Sequence, residues 1–217
     1  MKGLLCKDWA ILVNSYKKNF LIMVVLYLGM AVCLHMNYLC YALVAVCGVY
    51  ASSTMNFDDS AHWDTYARTL PVTPGQVVGC KYLLGLLLTL FGSVCAAVGI
   101  FLAGQYTDVL EAAFSILVIA AFSLLLFAVN MPFSYKFGAV RAGTWVYLVT
   151  FFGVFLIIFA MEHLPYLQRS SVISQLDTLG NALTAQPMLL LLPCAAVLLL
   201  YLGSWALSVQ IYQRKEF

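Results

Sequence analysis

Apolar residues run along this chain in long uninterrupted stretches, with polar residues confined to the gaps between them. Six stretches are long enough to cross a bilayer: Asn19–Met36, Tyr38–Met55, Tyr82–Gly104, Ala112–Met131, Thr144–Met161 and Pro187–Ser208. A hydrocarbon core of about 30 Å takes roughly 20 apolar residues per helix. The stretches are continuous and do not alternate in polarity, which predicts helices and not the strands of a barrel. The predicted fold is an all-α membrane protein with six transmembrane helices, a single transmembrane domain over residues 1–217. The longest gaps, Asp58–Lys81 and His163–Gln186, have 24 residues each, too few for a soluble domain of their own.

Two polar segments carry helical patterns of their own. In "MKGLLCKDWAILVNSYKK", residues 1–18, a helical reading puts Leu5, Trp9, Leu12 and Tyr16 on one face and Lys7, Asn14 and Lys18 on the other. A basic helix with an aromatic-bearing apolar face predicts an amphipathic helix lying at the membrane–water interface. In "DDSAHWDTYARTLPVTPGQVVGCKY", Asp58 or Asp59 fits a helix N-cap, and Trp63, Tyr66, Ala67 and Leu70 follow as one apolar stripe. Pro71 stops that helix by forcing its predecessor out of the α region. Thr73-Pro74-Gly75-Gln76 then opens the next one, with Thr as cap, Pro in the first turn and Gln reaching back. The segment reads as a short helix, a stiff corner and a long membrane helix. An aromatic anchor ringed by charge suits either an interfacial belt or a docking surface.

Composition agrees with the pattern. The chain is 64% hydrophobic and 9% charged, with a mean hydropathy of +0.95. Soluble domains carry about 45–50% apolar and about 25% charged residues. Charge then fixes an orientation. With the N-terminus inside, Lys2, Lys7, Lys17, Lys18, Arg68, Lys81, Lys136, Arg141, Arg214 and Lys215 face the cytoplasm and only Arg169 lies outside. That asymmetry predicts both termini in the cytoplasm. Asp58–Lys81 and "PFSYKFGAVRAG" (Pro132–Gly143) then become inner segments, and 163–186 an outer one. The net charge of +2 reflects these anchors and gives no reason to expect a nucleic-acid partner. No cleavable signal peptide is expected, because the first apolar stretch is a full span.

Catalytic chemistry has few candidates. The seven cysteines form no C-x-x-C pair and lie mostly within spans, which predicts packing roles. His35, His62 and His163 sit in three separate segments and do not suggest a metal site. G-x-x-x-x-G-K-[ST], H-E-x-x-H and G-x-S-x-G are absent, so neither a nucleotide site nor a catalytic set is expected in this chain. No Asp, Glu, Lys or Arg falls mid-span, which argues against an ion-coupled transporter.

The inner segment has acidic residues, W-x-x-Y, L-P-[VI]-[ST] and K-Y in order: Asp58-Asp59, Trp63 and Tyr66, Leu70-Pro71-Val72-Thr73, Lys81-Tyr82. Together with the start "MKGLLCKDW" and the inner "YKFGAVRAG", it resembles the ATP-binding-cassette (ABC) type-2 exporter permeases, in particular the small bacterial six-span ones. The resemblance covers the whole chain and is carried mainly by this loop. It implies a permease subunit in the bacterial cell membrane, paired with a second permease chain and with cytosolic ATPase subunits that hold the ATP and Mg. It implies that the first inner loop is the coupling helix, with Asp59, Trp63, Asp64, Tyr66, Arg68, Leu70 and Pro71 contacting the ATPase. The interfacial role of Leu5, Trp9, Leu12 and Tyr16 and a short outer helix within 163–186 are implied as well. Related loops often carry a basic residue after the [ST], where this chain has Pro74-Gly75, which would leave more of the contact to Arg68. Two other classes stay open on residues alone: a non-transporting structural or assembly protein of the membrane, and a membrane-embedded enzyme.

Overall fold

The structure, a computed structural model, describes residues 2–67, 69–104, 109–163 and 191–214. Among these residues there is helix and no strand. Helix α1 is Lys2–Ile11, followed by one π-helical turn, Leu12–Tyr16, and α2, Lys17–Leu34. Then come α3 (Asn37–Ser60), the short α4 (Trp63–Ala67), α5 (Pro74–Ala103), α6 (Val109–Phe137), α7 (Ala139–His163) and α8 (Leu191–Arg214). Helices α3, α5, α6, α7 and α8 are each long and apolar enough to cross a membrane. The first two helices, bent by 70° at the π turn, supply a sixth span when taken together. The outward faces are as greasy as the inward ones: Phe101 is 70% exposed, and Phe151 and Leu199 69% each. Only hydrocarbon accepts such a surface, so the chain is a multi-pass membrane protein.

Lipid gives helices no hydrophobic reason to associate, so backbones must come close enough for dispersion to act. The most extensive contact, between α3 and α5, shows how. A Cβ added to Gly92 would meet Cys47 and the Val44 backbone at 3.0–3.2 Å, and one on Gly99 would meet Cys40 and Leu28 at 2.7 Å. The glycines recur seven residues apart on α5 and the cysteines seven apart on α3, the repeat of a left-handed crossing. Cys40 and Cys47 thus act as small packing residues, and both are fully buried.

Helix α6 sits against α3, α5, α7 and α8. Its C-terminal end departs from expectation, because the predicted loop Pro132–Gly143 is helical except at Gly138, where φ is +89°. A proline mid-helix deprives the carbonyl four residues back of its amide donor. Here that carbonyl, on Ala128, instead accepts a hydrogen bond from the Ser204 hydroxyl of α8. The helix can therefore continue through Pro132 to Phe137. Ser204 also bonds the Tyr82 hydroxyl at 2.7 Å, and Ser208 bonds it at 2.8 Å. Tyr201 donates to the Tyr82 carbonyl at 2.6 Å. A polar seam thus joins α5, α6 and α8 within the apolar bundle.

The turn between the first two spans is as short as expected. Helix α2 ends at Leu34, His35 takes a left-handed φ of +53°, and α3 begins at Asn37. The outer segment 163–186, with its implied helix, lies outside the described residues apart from His163, the last residue of α7.

Candidate functional site

The polar end of the bundle is assembled around a buried lysine. Lys81 lies in the second turn of α5, which begins as the residues dictate. Thr73 is the N-cap, Pro74 occupies the first turn, and the Gln76 side chain accepts from the Thr73 amide at 3.3 Å. That start aims Lys81 inward, where it is 2% exposed. An ammonium so placed needs an acceptor for each of its three protons and a compensating charge. It finds Asp58 Oδ2 at 2.6 Å, Asp8 Oδ1 at 2.8 Å and Thr54 Oγ1 at 3.2 Å. Lys7 completes the set, with its Nζ 2.7 Å from Asp58 Oδ1 and 3.1 Å from Asp8 Oδ1. Two lysines and two aspartates thus form a neutral quartet that ties α1, α3 and α5 together.

The quartet also holds the corner. Lys7 Nζ lies 4.0 Å from the centroid of the Trp63 ring, within cation–π range, on the short helix α4. Trp63 and Tyr66 are neighbours, with ring centroids 5.3 Å apart. Ala67 is buried beneath them, Asp64 and Leu70 are half-buried, Pro71 is exposed, and Tyr66 is 57% exposed. The chain reverses by short-range bonds, Thr69 and Leu70 donating to the carbonyls of Tyr66 and Ala67, and Val72 to that of Leu70. Arg68 lies outside the described residues.

Two expectations for this segment change. The helix expected to open at Asp58 or Asp59 and to run to Leu70 is shorter. Helix α3 continues through Ser60, His62 adopts a left-handed φ of +48°, and α4 covers only Trp63–Ala67. The two aspartates also part company. Asp58 turns back to the quartet, while Asp59 Oδ2 accepts the Ala139 amide at 2.5 Å and caps α7 instead of α4. A carboxylate there offsets the free amides and the dipole of the α7 N-terminus. Asp59 therefore anchors α7 next to the corner and is not grouped with Trp63 and Tyr66.

In α1 and the π turn after it, the buried side chains are Leu4, Asp8 and Leu12, one turn apart. Leu5 is half-buried and Trp9 is 55% exposed. Trp9 and Leu12 line an apolar cavity of about 280 Å³ shared with Phe20, Tyr50 and Phe91. The side chain of Tyr16 lies outside the described residues. Lys7, placed by periodicity on the solvent face, turns into the ion network with Asp8. Asp8 and Lys81 were not read as partners in the sequence. The available signal was the lone acid of residues 1–18, Asp8, and the lone charge between Arg68 and Asp108, Lys81, which burial would force to pair.

A second polar feature lies beside α7. Asn130, 3% exposed, donates to the Tyr147 hydroxyl at 3.3 Å and accepts from Ser134 at 3.4 Å. Asn130 and Tyr147, with Ser52, Ser53 and Asn56, border a cavity of about 220 Å³. No group of three or more His, Cys, Asp or Glu is placed to hold a metal among the described residues.

The class is now defined: a polytopic helical membrane protein whose spans end, on one side, in a cluster of buried ion pairs with a short helix packed against it. The chain belongs to the ABC-2 family of transporter proteins, whose family model matches residues 3–213. It is therefore a transmembrane ABC transporter permease, a class that works with ABC ATPase subunits. No curated protein and no solved structure matches it.

Proposed function

We propose that this chain is the membrane subunit of an ATP-driven exporter, forming the translocation path and moved by separate cytosolic ATPase subunits through α4 and its corner. The observation that carries this reading is the mounting of Tyr66. It is an exposed aromatic on a five-residue helix whose Trp63 ring packs on Lys7 of the quartet that joins α1, α3 and α5. A load applied at Tyr66 passes through the Trp63 ring to Lys7, at 4.0 Å, and from there through ion pairs of 2.6–2.8 Å to the transmembrane helices α3 and α5. Trp63 supports the knob from beneath. Asp64, Leu70 and Pro71 lie close to it along the chain, the contact is proposed to include Arg68, and Asp59 links the end of α3 to α7. The partner supplies the nucleotide and metal chemistry, and a second permease chain completes the pathway. The basic residues at this end favour a cytoplasmic face and both termini inside a bacterial cell membrane. Leu5, Trp9, Leu12 and Tyr16 seat the first helix at the interface.

Tyr66→Ala tests the reading without disturbing the core. The substitution should lower co-purification of an ABC ATPase subunit by about 2 kcal/mol of binding, the scale of an interface hot spot, while membrane insertion is unchanged. Wild-type chain that emerges from its native membrane with no ATPase attached would overturn the proposal.

A further inference from the structure

On the far side of α6 from the quartet, two grooves flank a ridge made by Phe133 and Phe137, whose rings stack at 6.1 Å. The groove against α7, about 500 Å³, continues past Trp145 and Val149 to Thr150. The groove against α8, about 660 Å³, is bordered by Lys136, Gln210 and Arg214. Both grooves include Phe133 and Phe137, so they form one continuous surface. Its walls are almost wholly apolar except at the polar end, where Arg141 borders the groove against α7 and Lys136 and Arg214 the groove against α8. Neither lining contains an Asp or Glu, and none of these cations makes an ion pair among the described residues.

Length and charge together select an occupant. From Arg141 to Thr150 the α7 wall rises about 14 Å at 1.5 Å per residue, about half of a ~30 Å hydrocarbon core. The apolar part therefore matches one leaflet, and the basic part lies where that leaflet's headgroups are. Positive residues spread around a membrane protein serve topology alone. Three cations at the mouth of a leaflet-deep aromatic groove complement an anion that carries its own hydrocarbon. We infer that this surface is a binding site for an anionic glycerophospholipid, its phosphate held by Lys136, Arg141 and Arg214 and an acyl chain laid along Val129, Phe133 and Trp145. The inference does not depend on how the ATPase is engaged.

The test is native mass spectrometry of the purified full chain after exchange into mixed phosphatidylglycerol and phosphatidylcholine. Wild type should retain phosphatidylglycerol preferentially. The Lys136→Gln, Arg141→Gln, Arg214→Gln triple variant should retain at least tenfold less, with phosphatidylcholine retention unchanged. Because removing three cations also weakens topology signals, Val149→Trp, which fills the groove and keeps every charge, should independently displace the lipid. Soluble glycerol phosphate should not compete. Equal retention of the two lipids by wild type would overturn the site. So would undiminished phosphatidylglycerol in either variant, and full competition by glycerol phosphate would replace the lipid with a free-phosphate site.

Discussion

Lys81 shows how one side chain can organise a membrane protein's polar end. A buried ion pair is close to neutral for stability, because the cost of desolvating two charges offsets their attraction. Removing one partner is another matter, since it strands the remainder. Lys81→Met leaves Asp8 and Asp58 with only Lys7 between them, and should destabilise the fold by about 3–5 kcal/mol in detergent unfolding. Lys7→Met should cost less, because the Lys7 side chain is 22% exposed against 3% for Lys81 and water can screen what it leaves behind. Lys81→Met combined with Asp58→Leu leaves the Lys7–Asp8 pair, at 3.1 Å, and restores neutrality. That double variant should lose less than the two single changes added together, and a double-mutant cycle should show a coupling on the order of 1–3 kcal/mol. Additive losses would mean that the four residues do not act as a unit. Retaining a cluster that adds little net stability makes sense if its value is registry, the fixing of α1, α3 and α5 in one relation.

Among the helices, α6 and α8 show why local rules read this fold only in part. Pro132 forbids an ordinary continuation, and from sequence the helix should end there. It does not, because Ser204 on α8 provides the donor that proline lacks. Ser204→Ala should therefore cost about 1–3 kcal/mol, the penalty for a buried carbonyl left unmade. In a Pro132→Ala background, where residue 132 regains its own amide, the same change should cost much less, and urea or thermal unfolding of the four proteins would reveal it. The spans themselves were legible because a continuous apolar run has only one comfortable environment. The start of α5 was legible because Thr73, Pro74 and Gln76 act within one turn. Asp58 and Asp59 were not. They are adjacent in sequence and equally able to cap a helix, yet their partners are chosen by tertiary structure. Asp59 is satisfied by an amide 80 residues away, and the quartet's other carboxylate, Asp8, by a lysine 73 residues away. Pairing over such separations leaves no trace in a local pattern. For the same reason α1 buries Leu4 and Asp8, each one residue before the Leu5 and Trp9 of the predicted stripe.

At the scale of the whole molecule, the helices bring five cations to one pole: Lys7, Lys81, Lys136, Arg141 and Arg214 all lie where α3, α6 and α8 end and α5 and α7 begin. The docking proposal stands only if that pole faces the ATPase, so orientation is its sharpest requirement. Helix α3 carries a natural pair of reporters. Tyr38, 59% exposed, lies in its first turn, and Ser60, also exposed, is its last residue. At 1.5 Å per residue they stand about 33 Å apart, close to the ~30 Å hydrocarbon thickness, so one helix presents one residue to each side. With the exposed Cys6 and Cys33 replaced by serine, Tyr38→Cys and Ser60→Cys can be introduced singly. In intact cells a membrane-impermeant maleimide should modify Cys at 38 and leave Cys at 60 untouched until the membrane is opened. Because both reporters share a rigid rod, a misread span elsewhere in the chain cannot mimic the result. The reverse pattern, labelling at 60 from outside, would put Trp63, Tyr66 and the quartet beyond the reach of any cytosolic motor, however well the corner is built to receive one.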